Sequence, residues 1–393
     1  MRRSLDAVTL IACALFVVSC AVAYGGLFSH AYPGDVETYA KYGRLLVDHG
    51  RIPYRDFFDE YPPGSVGIFA LPALLWNAHY VLVFKLLMTA CGVGFVACAV
   101  WIVRRLGLSR WRLTPVVLAP VCLGPVFLNR YDPLPALLTA LALVALLRAR
   151  ERTAGALLGA GVAVKIFPLA VVLLAARRVR ERTASAAAFV IALALLVLPF
   201  FALAPGGVGF SLKTQLERHL QIESLGASIL LVFSKLGLHH VGYVGRSSVD
   251  VGGSLAAAVG AVSTVLAVLL VLLAIRAYVS GVDSDERLVT AFAACVVAVV
   301  AFGKVLSPQY LTWLVPLVPL AAGRKGRFAA VLFLIALSLT QFEYIVDKHG
   351  LEKQNWTVWV LLIRNVGLVA TFAFLLGQLR DTRSLASRSR VVD

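Results

Sequence analysis

The chain has 393 residues, of which 60% are hydrophobic and 15% charged, with a mean hydropathy of +0.85. That is too apolar for a water-soluble enzyme core, while 31 glycines and 16 prolines suit membrane helices that kink and cross closely. The formal charge of +16 falls in short basic clusters between apolar runs, which mark the inner face of a multi-pass membrane protein rather than a nucleic-acid surface.

Those clusters are Arg2 and Arg3, Arg104 to Arg112, Arg148 to Arg152, Arg177 to Arg182, Arg324 to Arg327, and Arg380 to Arg390. Placing them inside predicts a first helix over 7–27; the run is long, has no clear small-residue cleavage site and precedes further segments, so it reads as retained. Residues 28–79 then form an external loop, and the chain returns through 80–103, crosses through 113–128 and comes back through 133–147. Residues 153–176 are apolar but basic at both ends, so they should enter and leave on one face. An arm of about 11 residues reaches roughly 16 Å, half of a hydrocarbon layer of about 30 Å, which predicts a re-entrant hairpin with Lys165-Ile166-Phe167-Pro168 at its apex. Further crossings are expected over 184–204, 251–275, 287–303, 310–322, 328–345 and 356–377. The chain therefore reads as all-α, with about ten crossings, one membrane domain over 1–377, external interfacial helices in 205–250 and a cytoplasmic tail over 378–393. All six cysteines lie in apolar stretches, so no disulfide-stapled external domain is implied.

Polar chemistry gathers on the outer face. The first loop carries Asp35, Glu37 and Tyr39, then Tyr54-Arg55-Asp56-Phe57-Phe58-Asp59-Glu60-Tyr61-Pro62-Pro63-Gly64. Residues 64–76 are expected to lie along the outer interface or dip into it, with the two prolines at the start of the helix, where N–H groups need no partner. Asp35 follows the first helix closely; it is either a solvated interfacial acid or a base that takes a proton from an attacking hydroxyl. Glu37, Asp56, Asp59 and Glu60 could bind sugar hydroxyls or a divalent ion, or could pair with Arg44, Arg51 and Arg55; their spacing makes no metal motif. Lys165 deep in hydrocarbon needs an anion, either a lipid phosphate or an internal partner, and Arg364 raises the same question in the last crossing. Lys85, near the outer end of its helix, is expected to snorkel.

Residues 215–225 read as a weakly amphipathic interfacial helix, in which Arg218 and His219 could hold a phosphate and Gln221 and Glu223 could address sugar hydroxyls. A second external turn carries Lys304, Gln309 and Tyr310 beside Trp313, and a third, Asn129-Arg130-Tyr131-Asp132, offers an Arg130–Asp132 pair. There is no Walker A loop, no strand-linked GxGxxG and no HExxH, so nucleotide-driven chemistry at the inner face is poorly supported.

In chain order, Asp35 with Tyr39, YRDFFDEYPPG at 54–64, KIFP at 165–168, QIES at 221–224 and SPQYLTW at 307–313 resemble the landmarks of glycosyltransferase family 87. These are polytopic GT-C enzymes that include mycobacterial mannosyl- and arabinosyltransferases, and the resemblance runs over residues 20–375. It implies a GT-C fold and an inverting transfer from a polyprenyl-phosphate sugar to a glycolipid or cell-envelope glycan, at the extracytoplasmic face of the plasma membrane. Mannose is the first expectation, with arabinose and glucose as alternatives. Asp35 would match the family's first-loop catalytic aspartate. Lys165, Arg218, His219, Lys304 and Arg364 would bind the donor phosphate; Glu37, Tyr39, Asp56, Asp59, Glu60, Tyr61, Gln221, Glu223, Gln309 and Tyr310 would surround sugar and acceptor. No cofactor is required, because fixed cations can serve the phosphate; a divalent ion is an option that no ligand spacing indicates. The Ala-, Val-, Leu- and Arg-rich composition resembles high-GC actinobacterial usage. Outside this class, a lipid-linked-sugar flippase or a lipid-binding scaffold would also use broken helices and buried cations.

Overall fold

The computed structural model describes residues 2–25, 35–245, 248–342 and 349–389. Helix α1, Arg2–Gly25, is 24 residues long, or about 36 Å, enough to cross hydrocarbon. After it come α2 (Val36–Val47), α3 (Val66–Trp76) and α4 (Tyr80–Arg105). Phe16 of α1 meets Phe95 and Phe127 edge-on at 5.7 Å each, and a Cβ on Gly92 would stand 2.3 Å from its ring, so the glycine admits the aromatic. Lys85 lays its ammonium over the Tyr24 ring at 4.5 Å. The span expected over 113–128 is two pieces, α5 (Thr114–Leu123) and α6 (Pro125–Leu128). Gly124 divides them at φ 56°, a backbone conformation that favours glycine, and the next residue is proline. Helix α7 follows from Pro133 to Leu147.

Residues 151–178 form two short helices, α8 (Glu151–Val164, 14 residues) and α9 (Leu169–Arg178, 10 residues), broken at the KIFP sequence. At about 21 and 15 Å, neither alone spans hydrocarbon. Their feet are tied at one level: Glu151 Oε2 accepts from the backbone N–H of Arg180 at 2.8 Å and of Glu181 at 2.7 Å, and Arg152 pairs with Glu181 at 2.9 Å. The chain thus leaves where it entered, as the basic flanks require. Helix α10, Arg182–Leu203, lies across α8 at Gly155 and Gly159, where an added Cβ would come within 2.2 Å of the Ser185 and Phe189 carbonyl oxygens. Two small residues four apart let the backbones touch, the usual device of helix association in lipid.

Beyond α11 (Pro205–Leu216) the structure departs from the interfacial helix expected over 215–225. The segment is a helix end, a turn, the short strand β1 (Leu220–Gln221) and the cap of α12 (Leu225–Lys235). Strand β2 (Gly242–Val244) and strand β3 (Asp250–Gly252) complete an antiparallel sheet of order β1-β3-β2. The local reason is Ser224, whose Oγ accepts from Ala227 N at 3.2 Å and starts a new helix there.

Helix α13 (Ser254–Val279) packs on α14 (Asp285–Phe302), which is buried nearly all round from Arg287 onward and forms the centre of the core. The crossing expected over 310–322 is not a continuous helix: prolines 308, 316 and 319 break it into two 3-10 turns and the one-turn α15 (Leu311–Leu314), all packed inside. Helix α16 covers Gly323–Thr340, and α17 runs from Thr357 to Ser389, so the last helix continues into the expected tail. Among the described residues, five helical stretches are long and apolar enough to cross a membrane. Helices α14 and α16 have 18 residues but charged first turns, and the remaining apolar pieces are shorter.

Gly159→Leu should separate α8 from α10. Because the Phe189 carbonyl cannot yield, we expect a loss of about 1–3 kcal/mol, read as a lower unfolding temperature in lipid nanodiscs, while Gly67→Leu, with open space around its Cβ position, changes little.

Candidate active site

Asp35 stands immediately before α2. Its carbonyl accepts from Tyr39 N at 2.9 Å, but its side chain makes no cap bond, so the carboxylate is free to face other elements. Tyr61 Oη donates to Asp35 Oδ2 at 3.0 Å, and the Arg130 guanidinium forms an ion pair with the same oxygen. The Asp35 side chain remains 30% exposed.

Tyr61 is set by its own segment. Tyr54 Oη donates to the Tyr61 carbonyl at 2.6 Å, while Asp59 Oδ1 accepts from Tyr61 N at 2.9 Å. Gln215 of α11 donates to the Glu60 carbonyl at 2.9 Å, which fastens the segment from outside. Behind it Tyr39 stacks on Phe69 at 4.5 Å, and Tyr61 and Tyr131 close edge-on against both rings.

The turn between α6 and α7 carries Arg130, Tyr131 and Asp132, all buried. Arg130 faces Asp35, whereas Asp132 Oδ1 accepts from Lys165 Nζ at 2.8 Å and from Trp313 Nε1 at 2.7 Å. The expected Arg130–Asp132 pair is thereby replaced by two pairs that point to different parts of the chain. Lys165, at the hairpin apex, also lies over the rings of Tyr131 (4.6 Å), Tyr310 (5.2 Å) and Trp313 (5.3 Å). Phe167 and Tyr310 stack on Trp313 at 4.2 and 4.1 Å. A charge taken from water requires such partners, and Lys165 has a carboxylate together with three aromatic faces.

Buried polar atoms without a hydrogen-bond partner among the described residues collect here: Asp59 Oδ2, Tyr131 Oη, Asp132 Oδ2 and Thr312 Oγ1. Groups of that kind are costly in a finished core. Two carboxylates in the same loop show the range of local fields. Burial, with no cation paired to it among the described residues, pushes Asp59 up to about 7, whereas exposed Asp56 is held down to about 2, first by its hydrogen bond from Arg55 and then by the Ile52 N–H.

The family model for glycosyltransferase family 87 matches residues 57–308. The chain belongs to that family. No curated protein matches it. The crystal structure of ArnT from Cupriavidus metallidurans bound to undecaprenyl phosphate is similar over 94% of this chain and 77% of that one, with a TM-score of 0.48 and 13% identity. As a member of family 87 the protein is a glycosyltransferase, and its apolar helices make it a membrane protein.

For this family 87 glycosyltransferase the structure joins seven of the sixteen residues expected at the site. Asp35, Tyr39, Asp59, Glu60, Tyr61, Lys165 and Tyr310 fall around one turn; the sequence reading paired Arg130 with Asp132 and placed Trp313 in the SPQYLTW landmark, but named none of the three as a site residue. The available signal was an arginine and an aspartate heading an apolar helix in a chain with few charges. Gln309 is buried and accepts from Ser307 Oγ at 2.6 Å; Glu37, Asp56 and His219 stay on the surface.

The roles expected for Arg364, Gln221 and Glu223 change. Arg364 is fully enclosed: its Nη2 donates to the Glu223 carbonyl at 2.7 Å, its Nη1 lies 3.4 Å from Glu223 Oε2, and Asn365 Oδ1 accepts from its Nε at 3.1 Å. Gln221 reaches Glu223 Oε1 at 3.5 Å. Glu223 is therefore the counter-ion that Arg364 required, and the group clamps α17 to the short sheet instead of opening to a lipid phosphate. Lys304 Nζ donates to the Leu216 carbonyl at 2.8 Å, and Arg218 to Ser248 Oγ at 3.2 Å.

Two stability measurements follow. Lys165→Met should cost about 3–5 kcal/mol by stranding the Asp132 charge, and adding Asp132→Asn should recover part of it in the same denaturation assay. Asp59 holds its proton more tightly in the folded chain than in the unfolded one, so its stabilising contribution is complete below about pH 4 and is lost as the pH rises through about 7. The unfolding temperature of wild type should accordingly fall across that window relative to Asp59→Asn and run parallel to it above.

Proposed function

We propose that the protein transfers a sugar, mannose in the first instance, from a polyprenyl-phosphate donor to a glycolipid or cell-envelope glycan at the extracytoplasmic face. The observation that carries this reading is Asp35: a partly exposed carboxylate at the rim of a buried polar cluster, with both of its described contacts on Oδ2 and Oδ1 left to accept. In the reaction an acceptor hydroxyl oxygen bonds to the anomeric carbon while the bond from that carbon to the phosphate oxygen breaks. The proton passes to Asp35, and the bonding pair leaves on the phosphate. Attack opposite the leaving group inverts the anomeric centre.

Lys165 is the cation we assign to the phosphate as its charge grows, because it is the lysine held in the same cluster and its side chain is still 15% exposed. Arg218 and Lys304, after α11 and α14, are the further cations assigned to the headgroup, and His219 is a hydrogen-bond donor beside them. Tyr39, Tyr61 and Tyr310 supply the aromatic walls against which a sugar ring can lie. The polyprenyl carrier and the choice of mannose over arabinose or glucose rest on the family resemblance.

Purified protein in nanodiscs, given a panel of polyprenyl-phosphate sugars and membrane glycolipids, should release polyprenyl phosphate and form product with one donor. Asp35→Asn should lower kcat by about 10²–10⁴ with donor binding kept; a wild-type rate would dismiss Asp35 as the base. Turnover with nucleotide sugars alone would dismiss the lipid donor.

A further inference from the structure

We infer that Arg130 is a positioning residue for the transfer step, holding Asp35 as an oriented, ionised carboxylate with Oδ1 turned toward the acceptor. The inference rests on the reading of Asp35 as the base. Arg130 and Tyr61 both engage Oδ2, one as a charged and one as a neutral donor, and two donors on one oxygen fix the plane of the carboxylate. Arg130 is itself held still. It is 9% exposed and sits on a turn whose next residue is wedged among Tyr39, Tyr61 and Phe69, and whose Asp132 is locked to Lys165 and Trp313.

A carboxylate without a cation shows the opposite state in the same loop, in a more enclosed place than the 30% exposed Asp35. Asp59, with no cation paired to it among the described residues, is pushed up to about 7 by burial, and a base already carrying a proton cannot take one. A guanidinium at Oδ2 removes that difficulty for Asp35. It also weakens the base, which the chemistry tolerates: when the anomeric carbon becomes cationic before the new bond is complete, the attacking hydroxyl turns acidic late and needs only a weak acceptor. Arg130 itself exchanges no proton; the acceptor's proton goes to Asp35 Oδ1 and the electron pair to the departing phosphate.

The other titratable groups on the elements packed around Asp35 are Glu37, Tyr39, Lys41, Tyr42 and Arg44 on α2, Arg51, Tyr54, Arg55, Asp56, Asp59, Glu60 and Tyr61 before α3, Tyr131 and Asp132 on the turn, and Lys165 with Tyr310 behind it. Of these, Tyr61 touches the carboxylate, and it carries no charge at working pH. Removing the Arg130 charge should therefore move the acidic limb of activity upward.

The test is the pH profile of kcat/KM for wild type, Arg130→Gln, Arg130→Lys and Asp35→Asn, with unfolding temperature measured alongside. Arg130→Gln should raise the acidic limb by about one pH unit or more. Arg130→Lys, which keeps the charge but not the planar fork, should leave the limb near its wild-type position and lower kcat several-fold with KM unchanged. An unmoved limb in Arg130→Gln means that Arg130 only supports the fold and overturns the inference. If Arg130→Gln does not fold, a wild-type kcat in Arg130→Lys overturns it. A wild-type rate in Asp35→Asn removes the base reading and this inference with it, whereas an inactive Asp35→Asn beside an unmoved Arg130→Gln limb rejects the inference alone.

Discussion

Two ion pairs set back to back on one turn hold this site together. Arg130 and Asp132 lie two residues apart, yet one reaches the start of α2 and the other the apex of the α8–α9 hairpin. Charges of opposite sign that close would pair with each other in a solvated loop. Here Tyr131 separates them, its ring fixed against Tyr39, Tyr61 and Phe69 on one side and under Lys165 on another. Each charge is therefore left to find a partner from a distant segment, and three parts of the sequence are drawn to one point. Because an unpaired charge in a low-dielectric interior costs several kcal/mol, neither pair can be broken without consequence for the other's geometry.

The same economy governs the hairpin. Its helices are too short to cross, so the chain turns at an apex whose polar groups need partners. The apex is tolerable because Lys165 meets Asp132 and three aromatic rings, and because Phe167 stacks on Trp313. At the other end Glu151 gathers two backbone N–H groups from the start of the next helix. Irregular backbone within a membrane protein survives where its polar groups find partners, and those of this element find them in Asp132 at the apex and in Glu151 at the feet.

Much of this was legible in the chain. The hairpin followed from basic residues at both ends of an apolar run of half-span arms, an argument of charge and length alone. Asp35, Tyr61, Lys165 and Tyr310 were identifiable as polar or aromatic residues where lipid or an interface should be. What the sequence could not show was partnership. The anion for Lys165 and the cation for Asp35 come from the same turn, 33 residues from one and 95 from the other, and no local pattern encodes such pairing. Arg364 was misread for that reason: its burial was correctly seen to need an anion, but the anion is Glu223 of the protein itself. The run 215–225 looked helical because its polar residues are spaced like those of an interfacial helix; the pairing of Leu220 with Val251 and Gln221 with Asp250 is a contact across some thirty residues. Likewise, hydropathy alone reads 310–322 as a span, but prolines within an apolar run are read by the backbone.

The basic residues at the opposite end of the molecule carry a double duty. Arg112 donates to the carbonyls of Pro319, Ala321 and Gly326; Arg287 to those of Ala277 and Tyr278; Arg177 to that of Gly281. Several of these oxygens lie at chain bends or at the end of α13, where helical partners run out. The charges that would retain this face on one side of the bilayer during insertion are thus the same groups that close the ends of the helices once they have assembled. Orientation in the membrane and completion of the fold are coupled through single side chains, and a lysine, equal in charge but without the planar fork, would serve the first purpose and fail the second.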